Sequence, residues 1–180
     1  MSSLQIIIAF CFFVYAWVKR PEVLRVDRET VLWFGGLLTV INFLKAIFLF
    51  AVLRWLVPES FEATIRIFDM IPANHLLAVW WEDSFYVLPY LLVAPAVLAL
   101  KGWKKAAALI AFALLFLATT VHFTLGHLYQ GPAGLVTFVY PIISYCVAGR
   151  KGLGTMMALH ILFDFTIYMS VWLLMVLAGV

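Results

Sequence analysis

Apolar residues run along this chain in long blocks separated by short polar interruptions. Six blocks stand out, at residues 3–18, 31–57, 72–100, 106–129, 132–148 and 153–178. A helix needs about 20 mostly apolar residues to cross a bilayer. Each block therefore predicts a membrane-spanning helix, with the first and fifth short and the second and third long. A long span tilts or breaks, and Pro89 and Pro95 make the third the one to bend. The expected fold is all-α: a polytopic membrane helix bundle of about six transmembrane helices, in a single domain covering residues 1–180. Between the second and third blocks, Pro58–Met70 mixes charges with Phe61, Ile65 and Phe68. That spacing predicts a short helix lying on the outer surface. The first block lacks preceding basic residues and a small-residue cleavage site, so it reads as a retained span.

Composition sharpens this picture. The chain is 66% hydrophobic and 12% charged, with a mean hydropathy of +1.08. Soluble domains are about 45–50% apolar and about 25% charged. Soluble enzymes, nucleic-acid binders and disordered chains are thereby excluded. The net charge of +3 does not imply nucleic acid as a partner, because the basic residues sit between the apolar blocks. Lys19, Arg20, Arg25 and Arg28 occupy the first connection, Lys101, Lys104 and Lys105 the third, and Arg150 and Lys151 the fifth. Positive residues mark the cytoplasmic side. Both termini are then expected on the non-cytoplasmic side, with Trp17, Trp33, Trp55 and Trp103 near span ends. Cys11 and Cys146 lie inside apolar blocks and are expected to act as small packing residues.

Ionisable residues within spans are expensive and point to function. They are Lys45 in the second block, with Asn42 beside it, then His75, Glu82 and Asp83 in the third, His122 and His127 in the fourth, and His160 and Asp164 in the sixth. His160 and Asp164 are four apart and share a helix face, as do Phe123 and His127. His122 and His127 are five apart and point to different sides. His122 is expected to hydrogen-bond another helix, and His75, near the outer end, to be solvated or structural. Glu82 and Asp83 diverge by about 100°, so one is expected to face the bundle centre while the other pairs elsewhere. These residue types fit a catalytic cluster, a proton relay or a metal site equally well.

Three elements follow in order on three helices: Glu82-Asp83, then Phe123-Thr124-Leu125-Gly126-His127, then His160-Ile161-Leu162-Phe163-Asp164. This resembles the CAAX protease and bacteriocin-processing family of intramembrane proteins, whose pattern is Glu-Glu, Phe-x-x-x-His and His-x-x-x-Asn/Asp. Gly149, Gly152 and Gly154 resemble the family's glycine-bearing approach to the third motif. The resemblance covers residues 76–168. It departs at Asp83, which replaces the second Glu, and near Val87, where the family's Arg is absent. Lys45, by its location, is the expected intramembrane substitute for that Arg.

The resemblance implies a glutamate-dependent intramembrane endopeptidase without a cofactor. Glu82 would serve as general base, and His127 would hold the same water. His160 would stabilise the oxyanion, and Asp164 would orient His160. Asp83, Phe123 and Lys45 would support them. Alternatives stay open at this point. Glu82, His127 and His160 are a possible zinc set with an open position for water, although the His-Glu-x-x-His signature is absent. A non-catalytic scaffold or bacteriocin immunity protein on the same fold is another alternative, and a transporter or proton channel a third. Expected partners are membrane lipid and a peptide or membrane-anchored protein substrate, in a prokaryotic plasma membrane. Counting residues from the cytoplasmic ends puts Glu82 and His127 in the outer half, His160 in the inner half and Asp164 near the middle. The catalytic reading therefore requires a tilted or broken third span.

The orientation is testable with an alkaline phosphatase reporter, which matures only outside the cytoplasm. Fusions after Gln130 are expected to be active and fusions after Lys104 inactive. Equal activity at the two positions overturns the orientation.

Overall fold

The computed structural model describes residues 3–56, 58 and 73–178, and the described residues build helices and no strand. Helix α1 is Ser3–Lys19. A 3-10 turn at Pro21–Leu24 leads to α2, Arg28–Phe48, which continues through a π turn at Leu49–Leu53. Then come α3 (Ala73–Tyr86), α4 (Leu88–Ala99) and α5 (Gly102–Gly126). A 3-10 stretch at Leu128–Phe138 precedes α6 (Val139–Lys151) and α7 (Leu153–Ala178). The surface helix expected at Pro58–Met70 and the side chain of His75 lie outside the described residues.

Among the described residues, four stretches are long and apolar enough to cross a membrane: Pro21–Val52, Leu76–Ala99, Gly102–Gly126 and Leu153–Leu177. Ser3–Lys19 is apolar but shorter. The chain is an integral membrane protein with an all-α bundle fold. Its surface is inverted relative to a soluble domain. Leu32, Trp33, Trp55, Trp103 and Leu177 each expose more than 70% of their surface. Asn42, Asp83, Ser84, Ser144 and Thr155 are fully buried. Cys11 and Cys146 are both exposed, so they lie on the outer face and not in the packed interior expected of them.

Two departures from regular helix shape the interior. The third block breaks at Val87, between α3 and α4. Pro89, in the first turn of α4, has no N–H to donate to the carbonyl of Phe85, so the helical ladder cannot run through. The fifth block divides as well, and only α6, at 13 residues, is α-helical. At 1.5 Å per residue, α6 reaches about 20 Å, short of the roughly 30 Å hydrocarbon core. Gly131 just before that block, with Pro132 and Gly134 in its first half, disfavours an α-helix there. Gly134 also runs so close to the preceding segment that a Cβ there would lie 2.3 Å from the His127 carbonyl oxygen.

Helices in lipid gain little from apolar contact alone, so small residues and interhelical hydrogen bonds hold them together. The most extensive pairing joins α2 to α7. Asn42 donates from Nδ2 to the Phe163 carbonyl at 2.6 Å and to Thr166 Oγ1 at 2.7 Å. Ala46 and Val171 are fully buried in the same seam. A second tie closes the end where the first and fifth connections meet. Lys151 Nζ donates to Asp27 Oδ2 at 2.8 Å, Thr155 N to Arg25 O at 3.3 Å, and Arg25 Nη2 to Arg150 O at 2.5 Å. Asp27 also caps α2 by accepting from Thr30 N at 3.0 Å. The glycines at this corner make room for it. Gly152 has φ +95°, and a Cβ on it would sit 2.3 Å from Arg25 O.

Gly152→Ala is therefore expected to lower the thermal midpoint in detergent, because both the backbone conformation and the space exclude a side chain. Gly36→Ala serves as its control. Gly36 is exposed on α2 with nothing near its Cβ position. That change is expected to leave the midpoint unchanged or raise it, because Ala is favoured over Gly inside a helix by up to about 1 kcal/mol. Equal midpoints for the two variants would refute the close-approach account.

Candidate functional site

Four helices deliver the intramembrane polar residues to one place. Glu82 and Asp83 lie on α3, one turn before the break at Val87. Phe123 lies in the last turn of α5, and His127 caps that helix. His160 and Asp164 lie on α7, and Tyr140 begins α6. Despite the depth mismatch expected from straight spans, Glu82 comes within 3.8 Å of His127 and 3.9 Å of His160. Glu82 is close enough to both histidines for one group to touch all three.

Distances define the cluster. His127 Nε2 is 3.8 Å from Glu82 Oε1, and His160 Nε2 is 3.9 Å from Glu82 Oε2. His160 Nε2 is 3.4 Å from Asp164 Oδ2. On its other side, His160 Nδ1 is 2.5 Å from the Tyr140 hydroxyl and 3.4 Å from Asp83 Oδ2. Tyr140 donates to Asp83 Oδ1 at 2.7 Å. Side-chain exposure rises from 0% at Asp83 and 8% at His160 to 17% at Glu82 and His127 and 21% at Asp164. The buried end holds Asp83 and Tyr140, and the accessible end holds Glu82, His127 and Asp164.

Hydrogen-bond chemistry assigns the tautomers. His127 Nδ1 is 2.8 Å from the Phe123 carbonyl. A carbonyl only accepts, so Nδ1 carries the proton and Nε2 of the neutral ring is an acceptor facing Glu82. Two acceptors face each other across 3.8 Å, so a group that donates to both fits between them. At His160 the roles differ. The single hydroxyl proton of Tyr140 goes to the Asp83 carboxylate, so the Tyr140 oxygen accepts from His160 Nδ1–H. His160 Nε2 then points between the Glu82 and Asp164 carboxylates, which only accept, so Nε2 carries a proton as well.

An aromatic strip holds these rings in place. Phe123 packs on His127 with centroids 4.3 Å apart and stacks on Tyr140 at 5.3 Å and 21°. Tyr140 in turn contacts the His160 ring at 4.5 Å. Phe123 is 3% exposed and sits between the rings of His127 and Tyr140.

Several sequence expectations meet the geometry differently. Glu82 and Asp83 were expected to serve separate partners, yet His160 meets both, one with each ring nitrogen. Lys45 does not stand in for the missing arginine beside Asp83. Its Nζ lies over the Phe163 ring at 5.3 Å, one residue from Asp164, while Asp83 is met by Tyr140 and His160. The spacing of His160 and Asp164 does bring them together, and His122 does bond another helix, at 2.8 Å from the Tyr86 hydroxyl. Tyr140 was not legible in the sequence. It belongs to none of the three motifs, and its only signal is a phenol at the start of an apolar helix, where a buried hydroxyl must find a partner.

Among the described residues, no group of three His, Cys, Asp or Glu side chains is arranged to hold a metal ion, the Glu82, His127 and His160 set included. No family model matches the chain, and neither a curated protein nor a solved structure is significantly similar to it.

Proposed function

We propose that this chain is an intramembrane endopeptidase that hydrolyses a peptide bond of a membrane-associated protein or peptide, as its resemblance to the CAAX protease and bacteriocin-processing family implies. One observation carries this reading: Glu82 faces the Nε2 atoms of His127 and His160 at 3.8 and 3.9 Å in the bundle interior. Contacts of that length suit a bridging water better than a direct bond. A water there donates one proton to Glu82 and the other to His127 Nε2, which the Phe123 carbonyl keeps free to accept. Both bonds raise the electron density on the water oxygen.

The oxygen attacks the scissile carbonyl as Glu82 takes a proton. A C–O bond forms, and His160 Nε2–H donates to the developing oxyanion while Asp164 steadies the imidazole. Glu82 then returns its proton to the leaving nitrogen as the C–N bond breaks. The products are a carboxylic acid and an amine, the second water proton passing from the acid to the amine as they leave, and the enzyme regains its starting protonation. We place this chemistry in a prokaryotic plasma membrane, with both termini outside the cytoplasm. The contacts between the first and fifth connections put two of the three basic clusters at one end of the bundle, which supports that orientation.

The test uses purified protein in detergent and a library of quenched fluorescent peptides. Glu82→Gln and His127→Ala are each expected to cut the cleavage rate by roughly 10²- to 10⁴-fold, with the thermal midpoint retained. Chelator is expected to have no effect. A Glu82→Gln protein that cleaves at the wild-type rate refutes the assignment, and loss of activity with chelator transfers it to the zinc alternative.

A further inference from the structure

We propose that Tyr140 is a positioning residue of this site, fixing the ring orientation of His160 and meeting the buried Asp83 in place of an arginine. The proposal rests on the peptidase reading for its effect on turnover, and on the geometry alone for its effect on His160.

Asp83 has no exposed surface. A buried carboxylate is costly unless donors reach it. Tyr140 supplies one to Oδ1 at 2.7 Å, and His160 supplies the other to Oδ2 at 3.4 Å. The same Tyr140 oxygen accepts from His160 Nδ1 at 2.5 Å. One hydroxyl thus reads both neighbours, giving its proton to the acid and its lone pair to the imidazole. A 180° flip of the His160 ring would put a C–H where Nδ1–H now meets that lone pair. The flip is therefore opposed, and Nε2 stays aimed at Glu82 and Asp164. The phenol is held in turn by its stack on Phe123, which also flanks His127. Tyr140 so links all three motifs, although it belongs to none of them.

Tyr140→Phe removes the hydroxyl and keeps the stacked ring, so the fold is retained. Asp83 is left with His160 as its donor and draws the ring towards itself, away from Glu82. Tyr86→Phe is the control. It removes another buried hydroxyl bonded to a histidine, His122, outside the cluster. Two readouts are taken on the full chain in detergent. In NMR spectra of ¹⁵N-histidine-labelled protein, the Nδ1–H resonance of His160 is expected to move in Tyr140→Phe and to stay in place in Tyr86→Phe. In peptide cleavage, kcat is expected to fall roughly 10- to 100-fold in Tyr140→Phe. KM should stay within about twofold, because the hydroxyl acts on the reacting geometry and not on substrate binding. An unmoved His160 resonance in Tyr140→Phe overturns the proposal, and so do equal rate losses in the two variants. Should the wild-type protein cleave no peptide, the peptidase reading fails, and the resonance alone decides the role of Tyr140.

Discussion

Lipid offers no hydrogen bonds, and this structure is organised by that constraint. A carboxylate with no exposed surface, such as Asp83, can exist only where other helices bring donors to it. Tyr140 on α6 and His160 on α7 do so, which ties α3 to the last two helices through polar contacts as well as apolar packing. Asn42 does the same between α2 and α7. Many large apolar side chains, Trp33 and Leu177 among them, face outward, and polar contacts help specify which helices meet.

The cluster depends on interrupted helices. A straight third span would continue past Val87, and a fifth block wound as α-helix throughout would place Tyr140 elsewhere along the bundle. Pro89 ends one ladder, and the Gly131–Pro132–Gly134 run prevents another. The backbone that results departs from the α-helix beside the site, at Val87 and through Leu128–Phe138.

The acidic and imidazole groups are graded by burial as well as by position. Asp83 is sealed and Glu82 is partly accessible, although the two are adjacent in the chain. His160 spans the gradient, with Nδ1 in the sealed end and Nε2 at the open end. One ring therefore serves a structural contact and faces the reactive space at the same time. This division gives neighbouring acids different roles without placing them on different helices.

The sequence by itself determined the class of the protein. Its apolar blocks exceed what a soluble interior can hide, and the structure is an all-α membrane bundle. The spacing of His160 and Asp164 determined their contact, because four residues on one helix return to one face whatever surrounds them. The separation of His122 from His127 followed from the same local geometry. Tertiary structure decided the rest. Adjacent residues on a helix diverge, so nothing local indicated that Glu82 and Asp83 would share a partner. That depends on His160 entering between them from α7. Lys45 looked like the natural brace because of its charge, yet the bundle turns it onto Phe163 and gives Asp83 to Tyr140. Local periodicity specifies the face a residue occupies, but which faces meet is settled only when the helices pack.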